Sequence, residues 1–237
     1  EYGGSFENRY RFAVDVVKAI KKECGEDYPV MLRFSVVSKV IDFGVGAVPG
    51  EEYDEIGRDL AEAEKAVRYL QDAGYDALDC DNGTYDSWYW AHPPLYMPLN
   101  CNLNEAEHIK KFVDIPVIVA GRMQADTAEK AIAEGRIDGV GIARQFLCDP
   151  EFLTKLKSGR EKEIRPCISC HNGCLPVAYW ENSGLVMDIA DGAANCALNP
   201  VTLNEKKYRI EEAGKKKNIA VIGGGIGGME AARLLTL

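Results

Sequence analysis

Four cysteines stand within 30 residues of one another toward the C-terminal end of the chain. Cys167, Cys170 and Cys174 are separated by two and three residues, a spacing that lets three thiolates face one ion or cluster from a single loop. Cys196 follows after a gap of 21 residues, in the run Cys-Ala-Leu-Asn-Pro, and would complete a set of four. Soft thiolates on iron are typical of iron–sulfur clusters, so the pattern favours a four-cysteine cluster.

Other interpretations of these cysteines stay open. A structural zinc site usually shows two close pairs of ligands, and this segment holds one close pair. The run Cys167-Ile-Ser-Cys170-His171 also matches the attachment pattern of c-type haem, which would leave the remaining two cysteines without a role. They could also be unrelated buried cysteines, which is the interpretation of the four that are scattered singly: Cys24, Cys80, Cys101 and Cys148.

A second motif, G-x-G-x-x-G, is formed by Gly223, Gly225 and Gly228. It follows the apolar run 219–222 and opens an Ala-rich segment, which predicts a strand, a tight turn and a helix. Such glycines let the backbone approach a dinucleotide pyrophosphate at the N-terminus of the helix. The alternative is a tight glycine turn that binds no ligand.

Two predicted strands end in a small residue followed by arginine, at Gly121-Arg122 and at Ala143-Arg144. If both strands belong to a parallel barrel, their backbone N–H groups and guanidinium groups could hold one phosphate between them. Arg33 ends an earlier strand and would point to the same face. The alternative is that these are ordinary surface arginines.

A loop rich in aromatic side chains follows the strand predicted at 77–81. Its run 85–90 carries four aromatic residues in six positions and could line an apolar pocket. His92 lies just beyond this run and could donate or relay a proton near neutral pH, since histidine titrates in that range. The alternative for His92 is a structural role in the loop.

The elements that must position these residues alternate between helix and strand. Apolar strands that alternate with amphipathic helices predict parallel strands with right-handed crossovers. An open doubly wound sheet and part of an eight-fold barrel both fit, and the lack of a glycine-rich loop after the first strand favours the barrel. The expected helices are 8–24, 55–73, 105–113, 125–134 and 149–158, and the expected strands are 29–35, 77–81, 116–120 and 139–143.

Composition and charge bound the function classes. The chain has 237 residues, 46% of them hydrophobic, and a formal net charge of −9. That acidity argues against nucleic acid or an anionic membrane as a partner, and no apolar run approaches the roughly 20 residues of a membrane helix. Four strands cannot close a barrel, and the chain starts at Glu1 and stops at Leu237 inside a predicted helix. We therefore expect an internal part of a longer protein.

These features predict three regions. Residues 1–159 would form the C-terminal half of a TIM (β/α)8 barrel. Residues 160–217 would form the cysteine-rich segment and a charged linker, and residues 218–237 would begin a Rossmann-like dinucleotide-binding domain.

Taken together, the motifs resemble the old yellow enzyme family in its multidomain branch. Residues 1–12, EYGGSFENRYRF, resemble the signature that follows the fourth barrel strand in that family, and Leu32-Arg33-Phe-Ser resembles its fifth-strand motif. The cysteine set followed by a glycine fingerprint resembles the branch that contains 2-enoate reductase, 2,4-dienoyl-CoA reductase and the bile-acid-inducible oxidoreductases. The loop 85–94, YDSWYWAHPP, looks most like the 2-enoate reductases of anaerobes.

The resemblance implies an electron path from NAD(P)H through FAD and a [4Fe–4S] cluster to FMN. FMN would deliver hydride to the β-carbon of an alkene conjugated to a carbonyl, in an enoate or an enoyl thioester. Arg33 would contact the flavin ring, Gly121-Arg122 and Ala143-Arg144 would hold the FMN phosphate, and a tyrosine acid would lie upstream of Glu1. The gap between Cys174 and Cys196 is longer than in the dienoyl-CoA reductases.

Alternatives to a 2-enoate reductase are a dienoyl-CoA or bile-acid steroid reductase of the same family. In another class, a non-catalytic electron-transfer protein or a zinc-stabilised binding protein remains open. The cysteine usage and the lack of an export signal predict a cytoplasmic protein. The sequence leaves homo-oligomer formation open.

Overall fold

The computed structural model describes residues 2–175, 195–209 and 211–236. The chain divides into two compact units, Glu1–His171 and Asn172–Leu237. Within the described residues, no helix is both long and apolar enough to cross a membrane.

Helices and strands alternate through the first unit, as the sequence predicts. Ser5 accepts a hydrogen bond from the Asn8 amide at 3.3 Å and so starts the first helix two residues earlier than expected. Asp59 caps the second helix in the same way and starts it later than expected. In chain order the elements are α1 (Phe6–Cys24), β1 (Met31–Ser35), β2 (Val40–Asp42), β3 (Val45–Gly46), α2 (Leu60–Ala73), β4 (Ala77–Asp81), α3 (Trp88–Ala91), α4 (Leu103–Lys110), β5 (Val117–Ala120), α5 (Ala125–Ala133), β6 (Gly139–Gly141), α6 (Arg144–Cys148), α7 (Phe152–Lys157) and a 3-10 turn (Glu161–Glu163).

The main sheet has four parallel strands in the order β1-β4-β5-β6, which is also their order in the sequence. One face of this sheet shares a continuous apolar core with helices α1, α2, α4 and α5. Sequential parallel strands with helices on one face are the arrangement of a (β/α) barrel, whereas a doubly wound sheet carries helices on both faces. The first unit is therefore part of a barrel, as predicted.

Two strands and two helices of the first unit were not predicted. Strands β2 and β3 form an antiparallel hairpin between β1 and α2, where no strand was predicted. Helix α3 lies in the aromatic loop, and α6 precedes the last predicted helix. Asp149 separates α6 from α7, because its carboxylate accepts hydrogen bonds from the amides of Glu151 and Arg165 at 3.1 and 2.9 Å.

The second unit contains helix α8, Ile226–Leu235, which follows the glycine motif. The strand predicted over 219–222 is not formed in the described part of this unit, because a strand needs a paired neighbour and none is present there. The prediction of a complete strand–turn–helix was wrong on this point. The predicted region boundaries near 160 and 217 remain predictions.

Candidate active site

The carboxyl ends of the four strands bring the predicted site residues to one edge of the sheet. The register pairs the last residue of β5 with the last residue of β6. Gly121-Arg122 and Ala143-Arg144 follow these two strand ends, so both pairs leave the same edge from neighbouring strands. Ala143 and Arg144 start helix α6 rather than extending the strand, which is shorter than predicted.

Arg33, in β1, lies beside two carboxyl groups of β4. Its Nε and Nη2 donate to Oδ2 of Asp81 at 3.0 and 2.5 Å. The Asp81 side chain is 5% exposed, whereas that of Arg33 is 54% exposed. Oδ1 of Asp79, the residue opposite Arg33 in the register, is buried and has no hydrogen-bond partner within the described residues. Burial raises the pKa of both carboxyl groups, and Arg33 opposes that rise.

The guanidinium group of Arg122 holds the loop that follows β4. Its Nη1 donates to the carbonyl oxygens of Pro94 and Leu95 at 3.3 and 2.8 Å, and also to that of Met97. The backbone of Arg122 has a φ of 50°, a conformation that is uncommon outside glycine. Arg122 therefore lies at the predicted strand end with its side chain turned to the loop.

The guanidinium group of Arg144 reaches the same loop. Its Nη1 donates to the Pro93 carbonyl at 2.9 Å and contacts Nε2 of His171. The His171 ring also lies 6.1 Å from the ring of Trp88, centroid to centroid. Burial, Arg144 and His92 lower the pKa of His171 to about 4. In the sequence His171 is notable only as part of the cysteine motif, and no local pattern predicts its contact with Arg144.

His92 ends helix α3, and its backbone N–H donates to the carbonyl of Trp88 at 2.9 Å. Its imidazole is half-buried, and the positive charges of Arg33 and Arg144 act on its protonation. Burial, and then these two charges, lower the pKa of His92. The imidazole is therefore neutral near pH 7, and a neutral imidazole still carries one N–H that can donate a hydrogen bond.

The aromatic residues of the loop have separate roles instead of lining one pocket as predicted. The indole N–H of Trp90 and the hydroxyl of Tyr89 both donate to the carbonyl of Ala47, at 2.7 and 3.1 Å. The ammonium group of Lys39 lies 4.6 Å from the centre of the Trp90 ring. These contacts fasten the β2–β3 hairpin to the loop, while Tyr85 is 86% exposed.

A family model of known proteins matches residues 1–163, and its description is the NADH:flavin oxidoreductase / NADH oxidase family. The chain belongs to this family. The resemblance to flavin-dependent oxidoreductases, drawn above from the motifs, is confirmed.

Individual relatives give the same result. The chain is 43% identical to cinnamate reductase of Clostridium sporogenes over 238 residues, which cover 100% of this chain and 34% of the relative. It is 38% identical to NADH oxidase of Thermoanaerobacter brockii, over 98% of this chain and 32% of that protein. The solved complex of 2-naphthoyl-CoA reductase with 2-naphthoyl-CoA matches with a TM-score of 0.79 and 32% identity, covering 98% of this chain and 32% of that structure. The chain thus spans about a third of the length of these relatives.

The residues at the strand ends fit a flavin mononucleotide. An anionic phosphate suits the backbone N–H groups that follow the paired ends of β5 and β6, together with the Arg144 guanidinium group. The polar flavin ring suits the exposed guanidinium of Arg33 and the unpaired Oδ1 of Asp79. Asp79 and Asp81 were not predicted as site residues. Two acidic residues that alternate in an otherwise apolar strand were the signal that could have found them.

A buried pair of amides, Asn82 and Asn102, was not predicted from the sequence either. Nδ2 of Asn82 donates to Oδ1 of Asn102 at 3.0 Å, and both residues are almost fully buried. They come from different loops, 20 positions apart, so no spacing rule for helices or strands could pair them.

The four clustered cysteines fall in both units of the chain. Cys167 and Cys170 belong to the first unit, and Cys174 and Cys196 belong to the second. Cys170 is exposed and the other three are partly exposed. Among the described residues, no three His, Cys, Asp or Glu side chains are grouped as metal ligands. Their role as ligands stays a prediction.

The glycine motif of the second unit has the close backbone approach that its pattern predicts. A Cβ atom at Gly228 would overlap the carbonyl of Gly223, and Gly223 itself has a φ of 114°. Gly225 precedes the first residue of helix α8. These constraints explain why glycine is needed at positions 223 and 228, and the dinucleotide ligand remains a prediction.

Proposed function

We propose that the protein carrying this chain reduces an alkene conjugated to a carbonyl, with electrons from NAD(P)H and with FMN at the barrel. The observation that carries this proposal is the position of His92 at the carboxyl edge of the strands, next to the Pro93 carbonyl that Arg144 binds at 2.9 Å. Active sites of barrel enzymes lie at this edge. The similarity to cinnamate reductase, whose name identifies a conjugated enoate, supports the substrate class.

Each residue at this edge has a distinct task in the proposal. Arg33 and Asp79 face the flavin ring, and Asp81 fixes Arg33 through two hydrogen bonds to one oxygen. The backbone at Gly121-Arg122 and Ala143-Arg144, together with the Arg144 guanidinium, holds the phosphate. When bound, FMN supplies hydride for the β-carbon of the substrate.

His92 acts on the substrate carbonyl. Negative charge develops on the carbonyl oxygen as the β-carbon is reduced. A hydrogen-bond donor fixed at that oxygen lowers the activation free energy of the reaction. The neutral imidazole of His92 can supply this donor through its N–H. We assign the protonation of the α-carbon to a residue outside this chain, in agreement with the family resemblance.

We infer that Cys167, Cys170, Cys174 and Cys196 ligate a [4Fe–4S] cluster, on the basis of their number and spacing. We further infer that Gly223, Gly225 and Gly228 hold the pyrophosphate of FAD. These groups would pass electrons from NAD(P)H to the barrel. Enoates that carry an aryl group are the preferred substrates in this proposal, because cinnamate, named in the relative cinnamate reductase, is an aryl enoate.

The test uses the intact flavoprotein without oxygen. The flavin is reduced, and its reoxidation by an aryl enoate, an enoyl thioester and an isolated alkene is followed by absorbance. We expect the two conjugated substrates to reoxidise the flavin and the isolated alkene to leave it reduced. Failure of every conjugated substrate would overturn the proposed reaction.

Variants of His92 test its role. His92→Phe should slow reoxidation about 10²–10³-fold, the usual effect of removing one oxyanion donor. His92→Gln keeps an N–H donor and should lose less. His108→Gln is the matched control, because His108 lies on helix α4 and pairs with Glu64 at 2.7 Å. If His92→Phe reoxidises at the wild-type rate, His92 has only a structural role.

The cluster has its own test. Protein purified without oxygen should contain about four iron and four sulfide per chain, as expected for a [4Fe–4S] centre. Cys170→Ser should lose most of that iron and keep FMN. Cys24→Ser is the control, because Cys24 is an exposed cysteine on helix α1. One zinc per chain without labile sulfide would show that the cluster assignment is wrong.

A further inference from the structure

The side chain of Asn102 joins the end of a barrel strand to the loop that carries His92. Its Nδ2 donates to the carbonyl of Trp90 at 3.1 Å and to the carbonyl of Ala120, the last residue of β5, at 2.8 Å. Its Oδ1 accepts from Nδ2 of Asn82 at 3.0 Å. Asn102 is 1% exposed, and its hydrogen bonds with Asn82 and Trp90 are buried.

Two features show that this junction determines the local structure. Asn102 precedes helix α4 at a position where asparagine commonly caps the helix, yet its side chain makes no hydrogen bond to the first turn. A Cβ atom at Gly121 would lie 2.5 Å from Nδ2 of Asn102, so the strand end must be glycine for the amide to fit. Asn102 thus lacks the usual capping hydrogen bond, and position 121 is restricted to glycine, because both residues form the junction.

Three side chains hold the backbone on either side of His92. The carbonyl that Asn102 binds lies two residues before His92. The carbonyls bound by Arg144 and Arg122 lie one to five residues after it. Arg122 and Arg144 also lie at the proposed phosphate site, so replacing either of them would change the positive charge there. Asn102 is uncharged, so replacing it leaves the charge at the phosphate site unchanged.

We propose that Asn102 is a positioning residue for His92, which it fixes relative to the end of strand β5. The inference rests on the proposed role of His92 in the reaction. Asn102 does not touch the reacting atoms. It holds the carbonyl of Trp90 so that the imidazole two residues later stays at one place over the strand ends.

The first experiment measures hydrogen exchange of backbone amides in the intact flavoprotein. Asn102→Ala should raise exchange across residues 88–97 about tenfold or more, since buried hydrogen bonds that order the loop are lost. Tyr75→Phe is the matched control. It removes a buried side-chain hydrogen bond, from Tyr75 to the carbonyl of Ala13 at 2.8 Å, that lies outside this loop. Asn102→Ser is measured alongside as a milder change and should give the same pattern.

The second experiment is a double-mutant cycle on flavin reoxidation by the enoate. Asn102→Ala or Asn102→Ser alone should slow reoxidation about tenfold or more, while Tyr75→Phe should not. In the His92→Phe background the Asn102 substitution should have almost no further effect, because the residue that it positions is already gone.

The outcomes separate this inference from the proposed function. Exchange of residues 88–97 that rises no more than in Tyr75→Phe would overturn the positioning role, as would fully additive effects of the Asn102 and His92 substitutions on reoxidation. If His92→Phe alone has no effect on reoxidation, the proposed role of His92 fails. In that case increased exchange in Asn102→Ala would still show that Asn102 orders the loop, and its role in the reaction would be overturned.

Discussion

The two faces of the four-stranded sheet differ in the side chains that they carry. The face toward the helices is apolar and closed: Leu78, Cys80, Val117 and Val119 are all fully buried. The opposite face carries Arg33, the carboxyl groups of β4, and two glycines in β6. Because side chains alternate along a strand, both faces are encoded in the same short segments.

The apolar face of the sheet stabilises the unit, and the polar face carries the groups that can take part in chemistry. Burying apolar area against the helices stabilises the unit, while a buried carboxyl oxygen without a partner costs free energy. Asp79 and the Arg33–Asp81 pair therefore lie on the face where buried polar groups lower the stability of the unit. We expect substitutions on the helix-facing side to change the free energy of unfolding and substitutions on the opposite side to change cofactor binding.

The largest effect should come from Leu78→Ala, on the helix-facing side. Removing a fully buried leucine should lower the free energy of unfolding by about 2–5 kcal/mol, because a cavity remains in the core. Urea denaturation of the intact protein measures this. Ile132→Ala, on an exposed position of α5, is the control and should change stability by less than about 0.5 kcal/mol. Equal losses in both variants would contradict the contrast between the faces.

Arg144→Ala should mainly weaken FMN binding. Charge-assisted hydrogen bonds contribute about 1.5–3 kcal/mol, which corresponds to roughly 10–150-fold in the dissociation constant. Titration of the FMN-free protein by flavin fluorescence gives this value. Arg160→Ala is the control, because Arg160 is exposed and pairs only locally with Glu163 at 3.1 Å. An unchanged affinity in Arg144→Ala would remove this residue from the phosphate site.

Asp79→Asn should stabilise the FMN-free protein by up to about 1 kcal/mol at pH 7, because it removes a buried charge without changing the shape. Burial raises the pKa of Asp79, so the folded state holds the proton more tightly than the unfolded state does. The resulting stability is complete below the ordinary carboxyl pKa of about 3.9 and is lost as the pH rises through the raised value. The difference between wild type and variant should thus grow from pH 4 to pH 7. Parallel curves would contradict the burial of Asp79.

The smallest expected effect is the pH dependence that His92 contributes. Its pKa is lowered, so protonation is more costly in the folded state. Stability is then complete above the ordinary histidine pKa of about 6.5 and falls as the pH decreases through the lowered value. The melting temperature of wild type should therefore drop more between pH 7 and pH 5 than that of His92→Phe. An equal or larger drop in the variant would show that burial and the neighbouring arginines do not disfavour protonation of His92.

Prediction from sequence succeeded where a local pattern has one geometric consequence. The apolar runs at 77–81 and 116–120 form strands, and Gly121-Arg122 and Ala143-Arg144 follow strand ends that are paired in the sheet. It failed where the partner is distant in the chain. The hairpin β2–β3 is held by hydrogen bonds from Tyr89 and Trp90, which lie more than 40 residues away from the Ala47 carbonyl that they bind. No pattern in the sequence of the hairpin predicts these hydrogen bonds.

The alternation of strands and helices, and the edge from which the two arginine pairs leave the sheet, follow from the sequence through periodicity and the direction of parallel strands. The sequence does not show that Arg122 holds the loop after β4 or that Asn102 joins this loop to strand β5, and these contacts come from the tertiary fold. The physical reason is that a long or polar side chain can satisfy its hydrogen bonds in many ways. The choice is made only when packing removes water and brings particular carbonyl groups within reach.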